Sequence, residues 1–445
     1  MSLRQKLRSQ VFTGLVDPRL SGARRGLAEA RRKLGGHAHT VSAFLQIDDP
    51  YSYILSRYLP HLADQYDIDL RLYLSEARGE EYQAAPDMLP EYATTDCKRL
   101  ARELGVPFLD KGDLPPTEYR LALSDAMAAL VEHEDFAARL IQALEIYWRG
   151  DTAAAAEARA TADVKGAARP VIAASQSRQS KLGHYNSAML HYAGEWYWGV
   201  DRLHYLTDRL DELGLARNEK PNPTLAAIRP VMQYSLPVTP PAATRDLPPV
   251  EYFFSPRSPY SYLGLKRIID ITDAFGLTMK LRPVMPMIMR GLQVPRPKML
   301  YIAMDTMREA QRLGIPYGKF ADPIGPGVER FMAVFQYAET QHRARDFCLN
   351  ACAGIWSERI DLATDAGMRK VTGRTGLFWP DVKKAMSSDE WREPVEANRQ
   401  SMMDSGSWGV PTLRMDDWVV WGQDRDWMLL RHIEEHCDTG DGIIV

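Results

Sequence analysis

The sequence is poor in cysteine. Its 445 residues include 4 cysteines, Cys97, Cys348, Cys352 and Cys437. They form no Cys-x-x-Cys pair and no Cys/His ligand set, and four thiols in so long a chain are too few for a disulfide framework. We therefore expect neither a redox pair nor a metal site, and a reducing cytoplasm fits best. Cys348 and Cys352, four apart in a helical-looking stretch, are interpreted as packing residues.

The sequence also lacks an excess of charge and any long hydrophobic run. Lys and Arg number 55 against 58 Asp and Glu, a formal net charge of -3, so no global field favours nucleic acid or an anionic membrane. No apolar run approaches the roughly 18 residues of a membrane span, and the first residues lack a signal-peptide core. We expect no nucleic-acid or membrane partner. With 45% hydrophobic residues, the chain is typical of a globular protein of two or three domains.

Two halves of the chain repeat the same motifs in the same order. PYSY occurs at residues 50–53 and again at 259–262. DCKRLARELGVPF at 96–108 matches DTMREAQRLGIPY at 305–317, and WGVDR at 198–202 matches WGQDR at 421–425. Between the halves, residues 220–249 are so rich in proline that we expect an irregular linker without regular helix or central strand. The ordered matches predict a tandem duplication.

Each half shows the same alternation of predicted elements. A β-rich run, a helix opening at Pro-Tyr-Ser and a second strand (70–73 and 278–281) precede a long helical insertion, a hairpin and a closing helix. This order predicts an α/β fold with two tandem thioredoxin-like domains, each with a helical insertion. We divide the chain into an N-terminal helical extension (1–39), a first domain (40–216), a linker (217–249) and a second domain (250–445).

The start of the Pro-Tyr-Ser helix in the second half is a candidate anion site. Ser258 follows a strand and Pro259 occupies the first helical position, an arrangement that on its own is most simply a helix cap. The functional alternative is that the helix N-terminus and the Ser258 hydroxyl stabilise a thiolate placed there.

Two later motifs extend this candidate site. Pro411 precedes a predicted strand and can hold a cis bond that leaves the Val410 backbone able to pair with an extended peptide. The alternative is a proline that merely begins an edge strand. Gln423 and Asp424 open the last helix, where they either hold an amino-acid head group or, in the simpler reading, Asp424 is an N-cap.

Taken together, FFSPRSPYSYLG, PKMLYIAMD, RLGIP, GVPT and WGQDR resemble 2-hydroxychromene-2-carboxylate isomerases and kappa-class glutathione transferases. These families belong to the DsbA-like branch of the thioredoxin fold. The resemblance spans nearly all of residues 250–437. It implies a glutathione cofactor, with Ser258 at the place of the first redox cysteine and in contact with the glutathione sulfur.

The same resemblance assigns the remaining site residues. It implies further glutathione contacts at Pro259, Tyr260, Val410, Pro411, Gln423 and Asp424. Lys298 matches a basic residue that could neutralise a glutathione or substrate carboxylate. Gln423 departs from the shorter Ser or Asn of relatives. An asparagine of a preceding loop has no clean counterpart, and Gln293 is the nearest residue to it.

The first half departs further from the family pattern. Asp49 stands where Ser258 stands in the second half, and Ala188 stands where Pro411 stands. A carboxylate at that helix start would raise the pKa of a neighbouring thiol, which opposes its activation. We therefore interpret the first half as having lost the glutathione site, with Asp201 and Arg202 structural.

The sequence leaves three functions open. The first is a glutathione-dependent isomerase, in which glutathione thiolate adds reversibly to an aromatic or unsaturated acid. The alternatives are a kappa-like glutathione S-transferase and a non-catalytic thioredoxin-fold binding protein. A disulfide oxidoreductase is not expected, because the Ser258 and Ser261 positions lack sulfur. We expect a small-molecule substrate and either a monomeric pseudo-dimer or a homodimer.

Overall fold

The computed structural model describes residues 3–76, 82, 85–108, 116–161, 166–236, 247–292 and 294–437. The chain divides into two compact units. The C-terminal unit consists of Met1–Gly22, Ser235–Val294 and Ile302–Val445, and the N-terminal unit consists of Ala23–Tyr234 and Pro295–Tyr301. Each unit contains one four-stranded sheet.

The strands are β1 (Thr40–Leu45), β2 (Asp69–Leu74), β3 (Met189–Tyr192), β4 (Glu195–Trp198), β5 (Val250–Phe254), β6 (Met279–Pro283), β7 (Thr412–Met415) and β8 (Trp418–Trp421). The helices up to the linker are α1 (Leu3–Leu15), α2 (Pro18–Leu34), α3 (Pro50–Ser56), α4 (Leu59–Gln65), α5 (Leu89–Glu103), α6 (Thr117–Ala128), α7 (Phe136–Trp148), α8 (Thr152–Thr161), α9 (Ala168–Lys181), α10 (Leu203–Glu212), α11 (Pro223–Ala226) and α12 (Ile228–Met232). The later helices are α13 (Pro259–Ala274), α14 (Arg296–Leu313), α15 (Pro326–Thr340), α16 (Ala344–Ser357), α17 (Asp365–Gly373), α18 (Trp379–Met386), α19 (Arg392–Asp404) and α20 (Asp426–His436).

Both sheets have the same topology. In the C-terminal unit the strand order is β6-β5-β7-β8, with β5 parallel to β6 and antiparallel to β7. In the N-terminal unit the order is β2-β1-β3-β4, with the same directions. The predicted hairpin of the second half is confirmed, because Met415 pairs with Trp418 across a turn of two residues. β7 lies between β5 and β8, so the alternative that Pro411 begins an edge strand is wrong.

The central strand β5 explains where the core of the C-terminal unit lies. All five of its residues are buried, as expected for a strand with helices on both faces. Phe254 makes edge-on contacts with Phe331 and Phe335 on α15, and Phe331 contacts Phe347 on α16. The helical insertion therefore supplies one wall of the core, while α13 packs with α16 and α20.

Matched hydrogen bonds recur inside the two units. The tyrosine that follows the helix-opening proline donates to an aspartate on the next long helix, as Tyr51 to Asp96 and as Tyr260 to Asp305, both at 2.9 Å. The indole nitrogen of Trp148 donates to Ile47 O at 2.9 Å, and that of Trp356 donates to Pro256 O at 3.0 Å. The repeated motifs of the sequence therefore occupy equivalent places in equivalent networks.

The N-terminal helix α1 packs within the C-terminal unit. The Phe12 ring lies 4.9 Å from that of Phe320 and 5.7 Å from that of Trp356, measured between centroids. Val16 joins Ala303 and Met307 in a small buried cluster. The extension predicted for residues 1–39 is thus helical, and its first 22 residues group with the second half of the chain.

The linker is less irregular than predicted. We expected no regular helix in residues 220–249, yet α11 and α12 lie there. Pro223 is the first residue of α11, where a missing N–H costs nothing, and the Asn222 side chain caps this helix by accepting from Thr224 N at 3.0 Å. Residues 237–246 lie outside the described part. Within the part that is described, no helix has the length and hydropathy that a membrane crossing requires.

Candidate active site at the end of the second sheet

Three chain segments meet at one edge of the C-terminal sheet. β5 and β6 are parallel and both end there, and β7 starts there because it runs in the opposite direction, with Phe253 paired to Thr412. The Val284 N–H donates to Phe254 O at 2.8 Å, which holds the segment after β6 beside the segment after β5. Residues that are far apart in the sequence therefore converge at this edge.

Ser258 lies at this edge as the N-cap of α13. Its backbone is extended, and its Oγ accepts the Ser261 N–H at 3.1 Å. The Ser258 Oγ also lies 3.5 Å from Val410 O, a distance at which a hydrogen bond is weak. The Ser258 hydroxyl proton therefore makes only a weak hydrogen bond within the protein. The side chain is half-buried, so part of it remains exposed.

Val410 and Pro411 face Ser258 as predicted. The Val410–Pro411 peptide bond is cis, and the Val410 side chain packs against the buried cluster of Phe253, Val284 and Met402. Among the described residues, the Val410 N–H has no hydrogen-bond acceptor. The backbone at Val410 is therefore placed to pair with an extended ligand, the arrangement known as β-augmentation.

The other residues of the Pro-Tyr-Ser motif are tied into the protein. The Tyr260 hydroxyl donates to Asp305, which is fully buried and also pairs with Arg308 at 3.2 Å. The Ser261 Oγ is buried and accepts the Ser255 N–H at 3.3 Å. Pro259 occupies the first helical position. Of this motif, Ser258 is the side chain whose hydroxyl is free to meet a ligand.

The side chains of Gln423 and Asp424 differ in burial and in their polar contacts. Gln423 is buried, and its Nε2 donates to Glu309 Oε2 at 2.8 Å, while Glu309 also pairs with Arg312. The Gln423 Oε1 has no partner among the residues described. The Asp424 side chain is 23% exposed, and its Oδ1 lies 3.7 Å from Nη1 of Arg425. Glu309 therefore fixes the buried Gln423 side chain, and the role of Gln423 in holding a head group stays a prediction.

The structure does not test two residues named from the sequence as members of this site. Lys298 lies on α14 in the segment Pro295–Tyr301, which groups with the N-terminal unit, and burial lowers the pKa of its ammonium group. Gln293 lies outside the described residues. The role of Lys298 in holding a carboxylate stays a prediction.

Two arginines at this edge were missed by sequence reasoning. Arg257, directly before Ser258, forms a bidentate ion pair with Asp322 at 2.8 and 3.3 Å. The Asp322 N–H donates to Ser9 Oγ on α1 at 3.1 Å, so α1 supports the loop that carries Ser258. Arg290, in the turn after β6, donates to Trp408 O at 3.4 Å. Arg257 lies three residues after β5 and Arg290 lies seven residues after β6, and neither position has a local pattern that marks it in the sequence.

The equivalent place in the first half is closed. The Asp49 carboxylate accepts the Tyr51 and Ser52 N–H groups and the Ser52 hydroxyl, the last at 2.6 Å, and desolvation raises the pKa of this carboxyl. Ala188 N–H donates to Ser52 Oγ at 3.2 Å, and Ala188 has a φ of 53°. The Asp49 side chain is thus committed to hydrogen bonds within the first half.

None of the four cysteine thiols belongs to the surroundings described for Ser258 or for Asp49. Cys97, Cys348, Cys352 and Cys437 are all buried and free. Burial raises the pKa of the Cys348 thiol and raises that of Cys352 to about 12. The interpretation of Cys348 and Cys352 as packing residues is consistent with this environment. A dithiol cycle has no sulfur at Ser258 or Ser261 on which to run.

Comparison with known proteins supports the class of this unit. The family model of the DSBA-like thioredoxin domain matches residues 249–434. This part of the chain is therefore a DsbA-like thioredoxin domain, as the resemblance implied.

Two curated proteins that are similar to this chain are isomerases. The 2-hydroxychromene-2-carboxylate isomerase of Pseudomonas putida is 25% identical over 191 residues, covering 40% of this chain and 91% of that protein. That of Sphingobium xenophagum is 24% identical over 184 residues, covering 40% of this chain and 93% of that protein.

Two solved structures are also similar. A 2-hydroxychromene-2-carboxylate isomerase is 25% identical with a TM-score of 0.39, covering 43% of this chain and 97% of its own. The cytosolic disulfide reductase DsbM from Pseudomonas aeruginosa, solved with GSH, is 16% identical with a TM-score of 0.34, covering 42% of this chain and 98% of its own.

Proposed function

We propose that the C-terminal unit binds glutathione and acts as an isomerase of the 2-hydroxychromene-2-carboxylate isomerase type on an aromatic or unsaturated acid. One observation carries the proposal. The half-buried Ser258 hydroxyl lies at the N-terminus of α13, and the acceptor nearest to its proton, Val410 O, is 3.5 Å away. The family resemblance implies a glutathione sulfur beside this hydroxyl.

The geometry supports a thiolate beside Ser258. The 16-residue helix α13 has its positive end there, and Pro259 and the Ser258 cap leave that end facing outward. A hydroxyl that donates to the anion stabilises it relative to the thiol and lowers the thiol pKa. The Val410 N–H would pair with the glutathione backbone. The partly exposed Asp424 carboxylate, beside Gln423, would accept from the glutathione ammonium group, and Pro259, Tyr260 and Pro411 would shape the walls.

The reaction needs no redox partner. Thiolate attack on the alkene forms a C–S bond while the π electron pair moves onto the conjugated carbonyl. The former double bond is then single and rotates. The electron pair returns, the C–S bond breaks, and the thiolate is regenerated, so the atoms of substrate and product are the same. Ser258 would stabilise the sulfur before attack and after departure.

We also infer that the two halves arose by duplication and that the first half lost its site. The matched sheets and the matched Tyr51 and Tyr260 hydrogen bonds support a common origin. The closed surroundings of Asp49 and Ala188 support loss of the glutathione site. We propose that the protein is located in the cytoplasm, because glutathione is abundant there and the buried thiols would stay reduced.

The alternative function, a kappa-like glutathione transferase, also begins with thiolate attack on the substrate. It differs from the isomerase in the last step, the fate of the C–S bond. Conjugation keeps the C–S bond, so each product molecule consumes one glutathione, whereas isomerisation returns it. We therefore propose a test with limiting glutathione and the cis form of an aryl enone acid. The isomerase predicts many equivalents of trans product per glutathione without loss of free thiol.

Two matched variants test which half of the chain carries this activity. Ser258→Ala should lower the isomerisation rate about 10-fold to 100-fold, because loss of one hydrogen bond to the thiolate raises the thiol pKa and leaves less of the glutathione ionised. Asp49→Asn, at the equivalent position of the first half, should leave the rate unchanged. Product that stops at one equivalent per glutathione would favour conjugation, and equal rates in wild type and Ser258→Ala would contradict the proposal.

A further inference from the structure

The N-terminal helix α1 is linked to the loop that carries Ser258. This loop, residues 255–258, joins β5 to α13. The backbone N–H of Asp322, which flanks the loop, donates to Ser9 Oγ on α1 at 3.1 Å. Asp322 and Ser9 are both buried, although they are 313 positions apart in the chain. Such a buried contact holds two segments firmly, because water is not available to replace either partner.

The Asp322 carboxylate continues this link to the residue directly before Ser258. Its Oδ1 lies 2.8 Å from Arg257 Nε, and its Oδ2 lies 3.3 Å from Arg257 Nη2. The same Oδ1 also accepts the Ile324 N–H at 3.2 Å. A bidentate pair fixes both the position and the plane of the guanidinium. The backbone that leads into Ser258 is therefore tied to a carboxylate whose own backbone is tied to α1.

A second link from α1 reaches the same loop through Trp356. The buried indole Nε1 of Trp356 donates to Pro256 O at 3.0 Å. The Phe12 ring of α1 lies 5.7 Å from the Trp356 ring and 4.9 Å from the Phe320 ring, measured between centroids. Phe320 stacks on Trp356 at 4.4 Å. The helix therefore contacts the partners of two consecutive loop residues, Pro256 and Arg257.

The position of this loop determines where the Ser258 hydroxyl points. Its Oγ has one firm contact, the Ser261 N–H at 3.1 Å, and a weak one to Val410 O at 3.5 Å. The strength of a hydrogen bond to an anion depends steeply on distance and angle. A donor that is already held in place stabilises the anion more than one that must first reorient. The loop backbone therefore has to be held by groups outside the site.

These contacts come from the N-terminal extension and not from the sheet domain itself. α1 (Leu3–Leu15) precedes β1 and belongs to neither sheet. Its outer face carries Leu7 and Val11, which are 60% and 55% exposed, so the helix is covered on one side only. Ser9 and Phe12 lie on the covered side and supply the two links.

We propose that α1 is a positioning element of the candidate active site, in which Ser9 acts through Asp322 and Arg257 to hold the Ser258 hydroxyl toward the sulfur. This inference rests on the proposed function, because the sulfur is that of glutathione. None of the three positioning residues needs to touch glutathione. Loosening the link should therefore raise the pKa of the bound thiol while the domain stays folded.

The first measurement uses the full chain without glutathione. Hydrogen–deuterium exchange at the Ser258 and Ser261 amides reports how firmly the loop is held, because both N–H groups donate to residues of the loop. Ser9→Ala should make this exchange roughly fivefold faster, the order expected for loss of one hydrogen bond. The matched control is Thr13→Ala. It removes another α1 hydroxyl, which accepts from Arg359 at 3.0 Å, and should leave the exchange unchanged.

The second measurement follows the ultraviolet absorbance of bound glutathione thiolate against pH. Ser9→Ala should raise the thiol pKa by about half a unit, less than Ser258→Ala, because the hydroxyl is misplaced and not removed. The isomerisation rate should fall about threefold below the thiol pKa and equal that of wild type above it, where the thiol is ionised in both. A merely structural loss would lower the rate at every pH.

Asp322→Asn is a second variant of the same link. It weakens the pair with Arg257 and should shift the thiol pKa in the same direction as Ser9→Ala. Thermal unfolding midpoints show whether each variant is folded. Because Asp322 is a buried charge paired with Arg257, Asp322→Asn is the variant at greater risk of unfolding. Ser9→Ala retains the test in that case.

The inference is overturned if Ser9→Ala leaves the exchange or the thiol pKa unchanged, or if Thr13→Ala produces the same shifts. An unchanged thiolate in Ser9→Ala, with glutathione bound as in wild type, would remove α1 from the site and leave the proposed function standing. A wild type that binds no glutathione would instead contradict the proposed function. Faster exchange in Ser9→Ala would then still show that α1 holds the loop.

Discussion

Ser258 and Asp49 occupy equivalent positions but present opposite chemistry. The Ser258 hydroxyl has one firm hydrogen bond, from Ser261 N–H, and can donate its proton outward. The Asp49 carboxylate accepts three donors from its own helix start and has no proton to offer while ionised. We therefore propose that the residue type at this helix cap decides which half can stabilise a thiolate.

Two buried histidines make a prediction about pH. Burial lowers the pKa of His184 to about 3 and that of His191 to about 4, and both rings pack against Trp196. Unfolded histidines protonate below about 6.5. The unfolded state therefore binds more protons as the pH falls from 6.5 towards these values, and the folded state loses stability there.

The expected slope is about 1.4 kcal/mol per pH unit for each histidine. Urea unfolding between neutral and mildly acidic pH measures it. The free energy of unfolding should fall less steeply for His184→Gln and for His191→Gln than for wild type. His133→Gln, whose ring is 50% exposed, is the control. An identical slope in all variants would show that the two buried rings titrate in the folded state.

Sequence reasoning found Ser258, Val410 and Pro411 because each belongs to a local motif with a local consequence. It placed Gln423 at the site as well, but not the direction of its amide, since the Glu309 carboxylate that holds it is 114 residues away. Arg290 was missed for a related reason. A lone arginine after a strand has no local pattern, and its meaning depends on Trp408, which is 118 residues further along.

At the scale of elements, the boundaries followed from local chemistry. The predicted strand 70–73 falls within β2, and the predicted strand 278–281 overlaps β6, which begins one residue later and ends two residues later. The Pro-Tyr-Ser helices begin at Pro50 and Pro259 after side-chain caps. The partner of α1 could not be read in the same way. An amphipathic helix shows that it packs, but the face that receives it is formed by Tyr317, Phe320 and Trp356, some 300 residues later.

The packing of α1 gives a prediction about stability. Phe12→Ala removes a ring that contacts three aromatic rings and should lower the free energy of unfolding of the C-terminal unit by about 3 kcal/mol, the low end for a phenylalanine because Phe12 is only partly buried. Leu7→Ala is the control on the same helix. Leu7 is 60% exposed, and its truncation should cost less than about 0.5 kcal/mol.

Urea unfolding followed by tryptophan fluorescence is suited to this measurement because Trp356 contacts Phe12. Equal effects of the two truncations, or no effect of either, would contradict the packing of α1 on this unit. A loss confined to Phe12→Ala would support α1 as a structural part of the domain that carries Ser258.

At the scale of the whole molecule, the chain contains the same helix start twice. In the C-terminal unit the Ser258 hydroxyl makes only a weak hydrogen bond to Val410 O, and in the N-terminal unit the Asp49 carboxylate accepts three hydrogen bonds. Both units have the same sheet order and the same Tyr to Asp hydrogen bond. The repeat was visible in the sequence because the motifs that build these networks are short and retained. We therefore propose one glutathione site per chain, in the C-terminal unit.

The most direct test of this claim is calorimetric titration of glutathione into the full chain, with ultraviolet absorbance to detect bound thiolate. We predict one site per chain in wild type and in Asp49→Asn, with a thiolate signal that is lost in Ser258→Ala. No binding in any form, two sites per chain, or a thiolate that survives Ser258→Ala would contradict the account.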